Sequence, residues 1–222
     1  MTPTTSSLKN FFLDGSIFKA VDPAYVNAKK NKYKDLTYIQ KLGVGFKTGV
    51  LDFFKCIILI EIVSIPIIFS IVLYNHSQIS SVSKLTERAF SLIANKYFVR
   101  AVLAPYSEEQ VFRGILQNVV YRAQELAKSL FPQAKFRWLT SPSFRILLVN
   151  SLFSFVHLSN LATQDPVVVF FQVGRIFFYP TQSLLYETTN SLGAAVVEHI
   201  TNNGLPIILH KIILLAIRTL KH

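Results

Sequence analysis

Two adjacent carboxylates and an arginine, Glu108, Glu109 and Arg113, interrupt an apolar segment that runs from Phe98 to Tyr121. A charge at the centre of a bilayer costs roughly 2.5–3.5 kcal/mol on insertion scales, so such a segment must turn its charges toward protein and away from lipid. That requirement predicts a helix with neighbours on its charged face. Further apolar stretches at 53–74, 144–158, 167–179, 191–203 and 206–220 supply the neighbours. Together they predict an all-α, multi-pass transmembrane helical bundle of about six spans. A polar, basic N-terminal arm covers 1–42 and the membrane domain 43–222.

Composition favours lipid over water as the solvent. Of 222 residues 51% are hydrophobic and 16% charged, against about 25% charged in soluble domains. A net charge of +11 would suit nucleic acid. However, the basic residues gather in the head (Lys9, Lys19, Lys29, Lys30, Lys32, Lys34, Lys41, Lys47), in the 122–145 connection and at the tail. No aromatic binding face interleaves them, so nucleic acid is excluded as a partner and the bilayer, with its anionic lipids, is expected instead. Basic connections also mark the cytoplasmic side. This puts both termini inside, with the 159–166 loop, free of Lys and Arg, opposite.

Local signals refine the spans. Pro66 should kink the first one, which also carries Glu61, and 79–96 reads as an amphipathic interfacial helix. Pro105 and Ser107 predict that the charged helix starts near Ser107. Residues 187–190 read as a polar link between spans. A single cysteine, Cys56, excludes an internal disulfide and a thiolate metal cluster. The first 42 residues hold no continuous apolar run, so a cleavable signal is not expected and the first span would serve as an uncleaved anchor.

Three polar clusters carry the candidate chemistry. In a helix Arg113 shares a face with Glu109, four residues earlier, while Glu108 is turned about 100° away. Glu109 and Arg113 would then brace the helix and leave Glu108 to face the bundle interior; a plain structural ion pair beside a solvated Glu108 is the other possibility. Asn150, Phe153 and His157 share one face of a second helix. His199 and Asn203 repeat the four-residue spacing on a third, where two stacked donors can point at one developing oxyanion. A lone buried histidine is more often a packing residue, but three clusters on three apolar elements form a coherent set.

These motifs resemble the CAAX prenyl protease and bacteriocin-processing (CPBP, or Abi) family of membrane proteases. Glu-Glu-x-x-x-Arg is Glu108, Glu109 and Arg113; Phe-x-x-x-His is Phe153 and His157; His-x-x-x-Asn is His199 and Asn203. The Tyr186-to-Gly193 stretch is similar to the family's lead-in to its third motif, and the resemblance covers roughly 98–204. It implies an intramembrane endopeptidase of the bacterial cytoplasmic membrane, acting on a peptide or protein substrate. In that reading Glu108 with His157 activates a water, His199 with Asn203 forms the oxyanion hole, and Glu109 and Arg113 give structural support. Glu198, directly before His199, departs from the family's usual pattern.

No cofactor is expected, although Glu108, His157 and His199 could instead supply a His/His/Glu zinc set with an open fourth position. Two other function classes use the same residues. A non-catalytic membrane immunity or binding protein would keep them as a structural polar network. A small transporter would use Glu108 and the histidines as a proton relay.

Overall fold

The computed structural model describes residues 13–55, 99–132, 138–162 and 166–219. Among these the regular elements are helical. A short turn, Ile17–Ala20, leads to α1, Pro23–Tyr33, and α2 follows over residues 38–55. A composite helix, α3, runs over 99–130, and α4, Pro142–Val156, continues as a 3₁₀ stretch, His157–Ala162. The last three are α5, Pro166–Phe178, α6, Thr181–Thr189, and α7, Leu192–Thr219. The chain divides into two compact units: Met1–Thr48 with Ser107–Glu198, and Gly49–Tyr106 with His199–His222.

The helix starts follow from their capping residues. Asp22 accepts a hydrogen bond from Ala24 N–H at 2.9 Å with Pro23 in the first turn, and Ser141 accepts one from Phe144 N–H at 3.2 Å ahead of Pro142. Thr37 and Gln40 form a reciprocal capping box at the head of α2: Gln40 N–H donates to Thr37 Oγ1 and Thr37 N–H to Gln40 Oε1. α6 ends on Asn190 at φ 50°, ψ 41°, a left-handed conformation that asparagine tolerates better than most side chains.

Beside a buried apolar cluster, α3, α4 and α6 also bury polar and charged groups, and α3 and α4 expose large apolar side chains. Glu109, Arg113, Gln117 and Gln124 of α3 are buried, as are Arg145 and Asn150 of α4 and Gln182 and Glu187 of α6. Val111, Ile115, Val119, Leu126 and Leu130 of α3, with Leu152 and Phe155 of α4, are exposed. Soluble folds mostly expose such polar groups. Helices whose outer surface meets lipid keep their polar groups for one another. Pro142–Ala162 is long and apolar enough to cross a membrane.

Several elements differ from the sequence expectation. α3 does not begin near Ser107: it is helical from Val99, with π geometry over Val99–Leu103 and again over Gln110–Gln117. Pro105 cannot donate to the carbonyl one α turn back, and the wider π turn directly before it absorbs that defect within a continuous helix. The expected 122–145 connection is largely helix, since α3 extends to Leu130 and Arg145 lies buried within α4. The supposed link 187–190 is the end of α6. Pro206 lies inside α7, so 191–203 and 206–220 form one helix rather than two spans, which removes one boundary from the six-span count. Of the 159–166 loop, the residues up to Ala162 are 3₁₀ helix. Beyond Lys55, the 53–74 span and the 79–96 helix lie outside the described residues, as do residues 1–12.

The described part of the N-terminal arm packs against other helices of its unit. α1 lies against α6 and α4, and Val26 joins Ala20, Ile146 and Leu184 in a fully buried apolar cluster. Tyr25 donates to Asp14, and Lys29 pairs with Asp14 at 2.9 Å. Burial and that hydrogen bond raise the Tyr25 phenol; Lys29 is desolvated, yet Tyr25 and Asp14 raise it and hold it charged. In the second unit Asp52 pairs with Lys55 at 3.3 Å.

α2 and α7 approach through small residues. A Cβ on Gly45 would run into the Ala194 carbonyl, with its carbon at 2.9 Å and Cα at 3.0 Å, whereas a Cβ on Gly43 would meet nothing within 4 Å. Backbone cannot swing aside as a side chain can. Gly45→Ala is therefore expected to destabilise the protein at or above the usual 1–3 kcal/mol of overpacking. Gly43→Ala, at a helical site with room, should be neutral or gain about 0.5–1 kcal/mol. Thermal unfolding of the two variants in detergent checks the pair; equal melting temperatures would contradict the close approach.

Candidate active site

The first-motif residues sit at the junction of α and π geometry in α3. Glu109 Oε2 and Arg113 Nε are 3.3 Å apart, and both side chains are 0% exposed. Glu108, one residue earlier, is half-buried. The two adjacent glutamates thus face different surroundings: one is committed to a buried guanidinium and the other retains access. Besides Glu109, the charges of Glu198 and Glu108 act on Arg113.

Arg113 also links this helix to α4. Its guanidinium lies over the Phe153 ring at 4.3 Å, a cation–π stack, and Phe112 packs edge-on against the same ring at 4.8 Å. Phe153 also meets the His157 imidazole edge-on at 4.6 Å. Phe153 is therefore the spacer through which the first and second motifs are packed together.

His157 owes its orientation to the change of helix type at the end of α4. Its backbone N–H turns to Ser154 O, which releases the Phe153 carbonyl from the α pattern. The imidazole takes that carbonyl, with Nδ1 at 2.8 Å. A carbonyl only accepts, so Nδ1 carries the proton, and in the neutral ring Nε2 is left as the acceptor. The buried histidine thus has one nitrogen fixed by backbone and one able to receive a proton.

His199 and Asn203 lie one turn apart on α7, in the second unit. His199 is buried and Asn203 half-buried. Asn202, three residues after His199 and also on its face, is more deeply buried, and its Nδ2 makes no hydrogen bond among the described residues. Helix period alone does not separate it from Asn203, because i+3 and i+4 neighbours share a helix face. Among the described residues no group of three His, Cys, Asp or Glu side chains is arranged to hold a metal ion.

A second polar cluster was not anticipated. Arg145 of α4 forks onto Glu187 of α6, Nε to Oε2 at 2.9 Å and Nη2 to Oε1 at 2.6 Å, and Nη1 donates to Gln124 Oε1. Gln117 of α3 donates to Glu187 Oε2 at 3.4 Å and to Ser183 O at 3.2 Å, and Lys30 of α1 reaches Glu187 at 3.9 Å. Four helices meet there. One signal was available: Glu109, Arg113, Gln117 and Gln124 recur at four, four and seven residues, a polar stripe along one helix face in an otherwise apolar segment.

A family model described as Rce1-like, type II CAAX prenyl endopeptidase, matches residues 90–205. The match takes in the Glu-Glu-x-x-x-Arg, Phe-x-x-x-His and His-x-x-x-Asn residues. No curated protein and no solved structure matches the chain.

Proposed function

Because the chain belongs to the Rce1-like family of type II CAAX prenyl endopeptidases, a group of membrane-embedded peptide hydrolases, we propose that it cuts a peptide bond near the bilayer surface with a water activated by Glu108 and His157. The bacterial cytoplasmic membrane and a multi-pass arrangement are part of this reading. Its outward apolar surface and buried polar groups support residence in lipid.

The observation that carries the mechanism is the division between neighbouring glutamates. Glu109 is buried on Arg113, which leaves half-buried Glu108 as the carboxylate suited to take a proton from water. His157 Nε2 accepts a hydrogen bond from the water's other O–H, which stays on the oxygen, and so orients the water. The water oxygen bonds to the scissile carbonyl carbon, and its proton moves to Glu108. His199 and Asn203 donate to the resulting oxyanion. The carbon–nitrogen bond then breaks as Glu108 returns the proton to the departing amine, and Glu108 is regenerated.

The test is cleavage itself. New peptide termini in membranes expressing the wild type should vanish with His157→Ala, and the purified enzyme should keep its turnover after prolonged chelation. Identical termini in both membranes would remove the endopeptidase reading in favour of a binding or immunity protein. Activity lost on chelation and restored by zinc would replace the carboxylate mechanism with the metal one.

A further inference from the structure

We propose that Asn118 is a positioning residue for this hydrolysis: with Tyr186 of α6 it closes the wide π segment of α3 and so fixes the direction in which Glu108 points. The proposal rests on the endopeptidase reading above.

α3 changes from α to π geometry after Glu109 and returns to α at Asn118. A π turn closes on the fifth residue rather than the fourth, so the segment takes in one residue more than an α-helix would. Asn118 stands where that surplus ends. Its backbone N–H turns to Ile115 O, a tight closure that leaves Gly114 O, its ordinary α partner, to another donor. The Asn118 side chain supplies one. Its Nδ2 donates to Gly114 O at 2.8 Å and, with its other hydrogen, to Tyr186 Oη at 2.8 Å.

α6 grips the same junction through a second residue. Gln117 donates to Ser183 O at 3.2 Å and to Glu187 Oε2 at 3.4 Å. Ser183, Tyr186 and Glu187 are three and four residues apart, on one face of α6. Two successive residues at the end of the π segment are therefore tied to a single helix face, and the downstream half of α3 is held in place. The upstream half depends on how many residues the segment takes in. Without the Asn118 amide, the backbone N–H can return to Gly114 O in an ordinary α turn, and the segment narrows by one residue. The part of α3 before Gly114 then turns by about 100°, the angle between adjacent residues. Glu109 takes the direction of half-buried Glu108, and Glu108 takes that of Ser107, which is exposed. The general base would leave its place.

Asn118→Leu keeps the bulk and removes both donors, whereas Tyr186→Phe removes only the outer acceptor. Both are compared with the wild type and Glu108→Gln on a fluorogenic peptide that the wild type cleaves. Asn118→Leu should hold folded yield and KM within about twofold, while kcat per folded molecule falls about tenfold or more. Tyr186→Phe, which keeps the bond to Gly114, should lose about threefold. A wild-type kcat in either variant overturns the proposal, and so does a loss of activity wholly accounted for by less folded protein. A second measurement does not need turnover. Glu109→Gln lowers the melting temperature because it uncovers buried Arg113. In the Asn118→Leu background, where Glu109 has turned off the buried face, the same change should shift melting by about half as much or less. Additive shifts mean that α3 has not turned and refute the proposal. If Glu108→Gln cleaves as fast as the wild type, the hydrolytic mechanism fails, and the melting cycle still decides whether Asn118 sets the register of α3.

Discussion

Glu108→Gln is expected to abolish turnover while folded protein accumulates normally. Glutamine keeps the shape and most of the hydrogen bonding of glutamate but cannot take a proton from water. Losing a general base typically costs about 10²–10⁴-fold in rate. The buried ion pair of α3 belongs to Glu109, so the change at Glu108 leaves that pair intact. Glu109→Gln should show the opposite profile, a drop in folded protein, because it leaves the fully buried Arg113 without its nearest counter-charge. Cleavage per folded molecule, set beside the monodisperse yield after detergent extraction, separates the two. Full activity in Glu108→Gln would exclude it as the base.

Arg145→Ala should be the most damaging single change away from the active site. It strands Glu187, which is buried and held by two short bonds from one guanidinium, and leaves Gln124 Oε1 without its donor. Removing one partner of a buried pair costs about 3–5 kcal/mol, a large part of the roughly 5–15 kcal/mol that keeps a domain folded. Lys30, 3.9 Å from Glu187 and half-exposed, is too distant and too well solvated to take over. Arg145→Lys should rescue little, since an ammonium cannot fork onto both carboxylate oxygens. The double variant Arg145→Met with Glu187→Leu should recover most of the loss, because it removes both charges together. Thermal unfolding in detergent measures all three variants. A double variant no more stable than Arg145→Ala would mean that packing, not charge, dominates at that point.

The legible part of the site was the part governed by helix period. Glu109 and Arg113 are four residues apart, and a turn of either α or π helix leaves them close enough to pair. The same periodicity puts Phe153 and His157 on one face, and their contact follows from it. The stripe that continues to Gln117 and Gln124 obeyed the same rule but pointed at partners the sequence did not name. Arg145 and Glu187 are 42 residues apart, and Gln117 and Glu187 are 70 apart. At such separations pairing depends on which helices lie side by side. Proline misled for a related reason: Pro105 and Pro206 both read as boundaries, yet each lies inside a helix, Pro105 directly after a π turn.

What the sequence determined by itself was the choice of solvent and the chemistry on offer. An apolar chain that keeps Glu108, Glu109, Arg113, His157 and His199 within its apolar segments has to be helical and has to turn those groups inward, because lipid satisfies neither a backbone amide nor a charge. What only the tertiary structure decided was that Glu109 is fully buried against Arg113 while Glu108 is half-buried, which nitrogen of His157 is left to accept a proton, and that Glu187 and Glu198 are buried. Each of those depends on the identity of the neighbour across the packing interface, and that neighbour is set by contacts between distant segments, to which helical periodicity is blind.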